Sequence, residues 1–169
     1  MHAESVDDKV LDRLAALWDA RVDHVRSNSE DHDELGTFYW FVKSGKFTVA
    51  WWLPRLTEAL QLHPALSTER YLIGEDIAIA AEADPRGAFD ILKLLLDDAG
   101  AATYDLSQNA LPIVLSRAIN SGDDELASEA VSYMNRLGEK GYLHLDEEVK
   151  AAGLVRQQTV LPTDGGKEE

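Results

Sequence analysis

Apolar residues recur along this chain at the spacing of helix faces from near its start to about residue 154. Leu11, Leu14, Trp18, Val22 and Val25 follow at steps of three, four, four and three, while Asp12, Arg13, Asp19 and Asp23 fall off that stripe. This is the signature of an amphipathic helix of about five turns, and Ser5 with Asp8 three residues on supplies a capping-box start. After the polar run Ser27 to Asp33, read as a loop, a shorter helix from Asp33 carries Leu35, Phe38 and Val42 and stops near Ser44–Gly45, glycine tolerating the left-handed conformation of a helix end. A third helix is expected from about Thr48 to Leu62, with Val49, Leu53, Leu56 and Leu60 on one side. Pro54 lies inside it, so either a kink or a regular helix beginning only at Pro54 is expected.

The remaining elements follow the same logic. A fourth helix, capped at Ser67 or Thr68, runs through Ile73, Ile77 and Ala80 to about Ala83. Asp84–Pro85 then reads as an N-cap followed by proline at the first helical position. The fifth helix carries Phe89, Ile91, Leu92, Leu95 and Leu96 and closes at Gly100. The sixth, capped at Ser107, carries Leu111, Val114, Ala118 and Ile119 and contains Pro112. Gly122–Asp123 is a second stop and start. The seventh carries Leu126, Ala130, Val131, Met134 and Leu137 and ends at Gly138 or Gly141. One more short helix is expected from Asp146 to about Leu154, and no alternating strand pattern occurs. Residues 1–154 are thus expected to form a single all-helical domain, with 155–169 a disordered tail.

Two units look alike. Asp84 and Asp123 are 39 residues apart, and at that shift Ala88 meets Ala127, Leu92 meets Val131, Leu95 meets Met134, Leu72 meets Leu111 and Ala80 meets Ile119. A helical hairpin recurring at about 40 residues is the period of HEAT-type and armadillo-type repeats. The expected fold class is all-α: stacked antiparallel helical hairpins, either a HEAT-like repeat or an irregular bundle of about seven helices.

Composition narrows the function classes. The 169 residues suit one domain. No cysteine is present, which excludes disulfides, thiolate metal sites and a cysteine nucleophile. No apolar run approaches the roughly 20 residues of a membrane span, and the first residues, MHAESVDDK, lack the apolar region of a secretory signal, so a cytoplasmic location is expected. The net charge is −15, which opposes binding to nucleic acid or to an anionic membrane. The exception is local. Residues 1–35 hold ten acids and four bases, whereas 36–66 hold one acid, Glu58, and three bases, Lys43, Lys46 and Arg55. That one positive segment also contains seven of the thirteen aromatic residues.

The strings LWDARVDHV, GTFYWFVKSGKFTVAWWLPRLTEAL and LPIVLSRAINSGDDELASEAVSYMNRLGEKGYL resemble the C-terminal helical segment that follows a SIR2-like or P-loop ATPase module in proteins of prokaryotic antiviral defence. The likeness spans residues 11–145. Its most specific pieces are the aromatic run before Ser44–Gly45–Lys46–Phe47 and Asn135–Arg136–Leu137–Gly138 with Gly141–Tyr142. It implies a sensing or protein-contact role, with a partner that could be encoded nearby, and transfers no active-site residues.

Motifs of catalysis are missing. Neither GxGxxG nor GxxxxGK[ST] occurs, Gly45–Lys46 being followed by phenylalanine, and GxSxG is absent. No cofactor is implied. His24, His32 and Asp33 could be drawn as a metal site, but no HxxxH pair accompanies them; Glu75 with Asp76 and Glu82 could be drawn as paired carboxylates, yet in so acidic a chain such acids are usually the wet face of a helix. Among the aromatics, Phe38 and Trp52 share the apolar stripes and are read as core. Tyr39, Trp40 and Trp51 fall off those stripes beside Lys43, Lys46 and Arg55, a combination typical of interface anchors. Stacking on a nucleotide base is a further use of such rings, and burial of the whole segment by the first helix and its loop is the simpler alternative. The expected function is a non-enzymatic protein-interaction module with these six residues as its contact. The alternatives are an acidic decoy that occupies a nucleic-acid-binding protein, and an enzyme without recognisable motifs built from Glu75, Asp76, His24 and His32.

Overall fold

Asp7 opens the first helix, its carboxylate accepting from the Lys9 backbone N–H at 2.8 Å, so the cap lies closer to the helix than Ser5. A computed structural model describes residues 7–28, 33–62, 70–97, 110–142 and 144–151; Ser5, the 29–32 loop, His63–Pro64, Ser67, Thr68, Gly100, Ser107, Leu154 and the 155–169 tail lie outside them. The described residues form α1 (Asp8–Ser27), α2 (Asp33–Gly36), α3 (Tyr39–Lys43), α4 (Val49–Leu62), α5 (Arg70–Ala80), α6 (Pro85–Asp97), α7 (Ala110–Ile119) and α8 (Asp124–Glu139), with a further helical turn or two at 145–151. The protein is all-helical, as the periodicity requires, and contains no strand among these residues.

The expected second helix is divided in two. Gly36 and the β-branched Thr37 are poor helix formers, and there the ladder tightens to three-residue spacing, Phe38 N–H bonding Leu35 O at 3.2 Å and Trp40 N–H bonding Thr37 O at 3.1 Å. Gly45 follows with φ +63°. Helix α4 starts at Val49 and not at Pro54, because the Trp51 and Trp52 N–H groups both reach Thr48 O. The proline therefore sits in its second turn, where its ring crowds the preceding carbonyls; Arg55 Nη1 donates to the Trp51 carbonyl at 3.1 Å.

Helix α6 is the centre of the core. It packs on α4, α5 and α7, while α5 also packs on α7 and α7 on α8. Ala88, Phe89, Ile91, Leu92 and Leu95 are all buried, which takes most of its circumference out of water, as three neighbours demand. Asp84 caps it, its carboxylate accepting from Gly87 N–H at 2.8 Å. Asp123 caps α8 in the same way, accepting from the Glu125 and Leu126 N–H groups at 3.0 Å. At the other end of α8 the Tyr142 N–H bonds Leu137 O across Gly141, whose φ is +99°, a Schellman closure.

The two hairpins share their caps but not their buried faces. Leu92 is buried while Val131, its counterpart at a shift of 39, is 39% exposed. The α8 core is instead Leu126, Ala130, Tyr133 and Leu137, a narrower stripe turned by about one residue. The reason is position in the stack: α8 lies at the end and packs mainly on α7, and Tyr133 reaches past it to meet Phe89 edge-on at 5.6 Å. Glu129 of α8 accepts hydrogen bonds from both Arg86 and Lys93 of α6, and Arg117 pairs with Glu82 at 2.8 Å.

Candidate partner-contact surface

The aromatic segment folds into a stack that the helices on either side close. Phe47 lies on Trp51 with centroids 4.4 Å apart and planes 22° apart, and Phe38 lies near Trp51 at 5.7 Å and 25°. Trp18 of α1 covers Phe38 from above at 4.1 Å. Arg55 places its guanidinium 4.7 Å over the Trp51 ring. Four aromatic layers joined to one cation are worth roughly 0.5–1.5 kcal/mol per contact beyond the area they bury, so this cluster is first a structural unit.

The six expected contact residues consequently divide. Trp51 is half-buried, with Phe47 and Arg55 against its ring, and its indole N–H is sealed from water. Tyr39 is 7% exposed, and its hydroxyl donates to Asp76 of α5 at 2.9 Å. Lys43 makes an ion pair with the same carboxylate at 3.0 Å and lies 5.5 Å over the Tyr39 ring. Tyr39, Lys43, Trp51 and Arg55 are each engaged within the fold, the first two holding α3 on α5 and the last two finishing the stack. Trp40 and Lys46 remain exposed, Trp40 with 66% of its surface in water.

A groove of about 360 Å³ opens beside the stack. It is lined by the rings of Trp18, Phe38, Phe41 and Trp51 and by Leu14, Leu17 and Arg21 of α1, with Thr37. Leu17 is 55% exposed. The indole N–H groups of Trp18 and Trp51 are both buried with no acceptor among the described residues, each an uncompensated cost of about 1–3 kcal/mol. Sequence reasoning missed this groove because it followed only the Leu11, Leu14, Trp18, Val22, Val25 stripe. In the structure Trp18, Val22 and Val25 are buried and Leu11 and Leu14 only half-buried. A second stripe was available: Val10, Leu14 and Leu17, at steps of four and three, widens the apolar face beyond what α2 and α4 cover.

The residues considered for catalysis are not gathered. Asp76 is taken by Tyr39 and Lys43, Glu82 pairs with Arg117, and Glu75 is exposed. His24 lies on the open side of α1, 3.4 Å from the Asn28 amide; His32 is outside the described residues. Among the described residues no three His, Asp or Glu side chains come together in a group that could hold a metal ion, and no helix is long and apolar enough to cross a membrane. No family model, no curated protein and no solved structure matches the chain.

Proposed function

We propose that this chain is a non-catalytic helical contact module that works by holding another protein, with its paired helices stacked in HEAT-like fashion. The observation that carries the reading is Trp40: a tryptophan with 66% of its surface in water, on a helix whose neighbouring Tyr39 and Lys43 are fixed to Asp76. An exposed indole that meets the fold through the Tyr39 ring at 6.5 Å adds little to stability, while tryptophan is among the residues most enriched at interface hot spots. The setting we propose is a bacterial cytoplasmic system, antiviral defence being the one that the resemblance of the sequence suggests, with the partner encoded nearby. The test is co-purification with the products of neighbouring genes, followed by Trp40→Ala. A partner retained by the native chain and weakened at least tenfold by Trp40→Ala, with thermal stability unchanged, supports the reading. A native chain that retains none of those products, or a variant that binds as well as the native chain, refutes it.

A further inference from the structure

Helix α1 separates its charges. At about 100° per residue, Asp8, Asp12, Asp19 and Asp23, with Arg26 among them, fall on one flank of the buried Trp18, Val22, Val25 face, and Arg13, Arg21 and His24 on the other, while Lys9 lies opposite the buried face, one turn before Arg13. The basic flank adjoins Val10, Leu14 and Leu17, of which Val10 is 44% and Leu17 55% exposed. Lys9 and Arg13 are exposed and make no ion pair with a described residue. In a chain of net charge −15, an exposed apolar stripe bordered by bases runs against the general field, and it leads directly into the aromatic-walled groove, since Leu14, Leu17 and Arg21 belong to both.

From this juxtaposition we propose that the α1 face and its groove bind an acidic amphipathic helix of a partner protein, with one large apolar side chain entering between Leu17 and Trp51 and carboxylates meeting Lys9 and Arg13. Apolar positions spaced four and three apart over two turns give α1 a face along which a second helix can pack, and charge complementarity selects an acidic partner over a basic one. The wall of Trp18, Phe38, Phe41 and Trp51 supplies the desolvated pocket that an anchor requires. The proposal rests on the contact-module reading and adds a second, chemically defined part to it.

The probe is a synthetic 15-residue peptide with leucines at helical spacing and glutamates on the flanks, set against a counterpart in which every glutamate is lysine. Binding is followed by tryptophan fluorescence and calorimetry on the full chain. The acidic peptide is expected to bind at least tenfold more tightly than the basic one, to lose at least tenfold with Leu17→Asp, and to exchange preference in the Lys9→Glu, Arg13→Glu variant. Circular dichroism confirms that these exposed substitutions leave the fold intact. Absence of saturable binding, or equal affinity for both peptides, overturns the proposal. So does binding of phosphatidylserine vesicles in place of the peptide, or a native dimer that Leu17→Asp makes monomeric, because the face would then belong to lipid or to a second copy. If the co-purified partner is lost with Trp40→Ala and kept with Leu17→Asp, this proposal falls while the contact-module reading stands.

Discussion

Replacing Tyr39 by phenylalanine and Asp76 by alanine, singly and together, tests whether α3 is fastened to α5 or merely lies near it. Asp76 has a side chain only 16% exposed, and it accepts from the Tyr39 hydroxyl at 2.9 Å and from Lys43 Nζ at 3.0 Å. A hydrogen bond to a charged acceptor contributes about 1.5–3 kcal/mol, and a pair with a lysine that keeps 29% of its surface in water about 0.2–1. Tyr39→Phe should therefore cost about 1.5 kcal/mol, because Asp76 keeps Lys43. Asp76→Ala should cost about 2–3, because both partners are lost. The double variant should cost about the same as Asp76→Ala alone, which leaves a coupling of about 1.5 kcal/mol, the whole cost of Tyr39→Phe. Urea denaturation at pH 7 with tryptophan fluorescence measures all four corners of the cycle. Additive costs, with a coupling within about 0.3 kcal/mol of zero, would mean that the hydroxyl and carboxylate do not cooperate and that this pair does not fasten α3 to α5.

Other consequences are as direct. Trp52→Ala, at a residue 5% exposed, should cost about 3–5 kcal/mol through lost transfer energy and a cavity, read as a fall in denaturation midpoint. Gly87→Ala should destabilise by about 1–2 kcal/mol although alanine favours helices, since a Cβ there would come 2.5 Å from Leu53 Cδ2 and 2.6 Å from Asp84 Oδ2, atoms held by the core and by the helix cap. Glu129 is held below the usual glutamate range by the hydrogen bond from Lys93 and then that from Arg86, which together outweigh its partial burial; the stability it adds is complete above the ordinary glutamate pKa and disappears as pH falls through its lower folded-state value. Burial pulls the Lys93 pKa down, but its bonds to Glu129 and Asp90 carry it above the usual lysine range, so its own share is lost only in strong alkali. The stability difference between the native chain and Glu129→Gln, about 0.5–1 kcal/mol at pH 7 for so exposed a cluster, should accordingly shrink towards zero as pH falls below the ordinary glutamate value of 4.5.

The helices were readable because periodicity and caps agree in this sequence: Asp84–Pro85 and Gly122–Asp123 mark starts that the side-chain hydrogen bonds then make. What periodicity could not reveal was which of two adjoining faces a neighbour would cover. Val131 and Tyr133 are both apolar enough to be core, and only the place of α8 at the edge of the stack decides for Tyr133. The aromatic segment shows the same limit. Tyr39 and Trp40 are neighbours in one basic aromatic segment, yet a carboxylate 37 positions away in sequence buries the first and leaves the second in water. Such long-range polar partners leave no local trace. The groove did leave one, in the Val10, Leu14, Leu17 spacing, and needed two overlapping stripes to be read on one helix.

The central place of α6 also bears on how the chain acquires and loses its structure. Apart from α1 with α4, the principal packings join helices that are consecutive or one apart in sequence, so little loop entropy is spent before each contact forms, and folding should belong to the fast class of helical proteins. The same neighbour-to-neighbour order makes unfolding graded. Amides of α6, enclosed by α4, α5 and α7, should exchange with solvent only when the whole fold opens. Those of α1, whose buried side chains all lie in its second half, should exchange through a smaller, local detachment. The helix that carries the basic apolar face would then also be the one able to lift, and a partner seated on it would register as slowed exchange across α1 long before any change at α6.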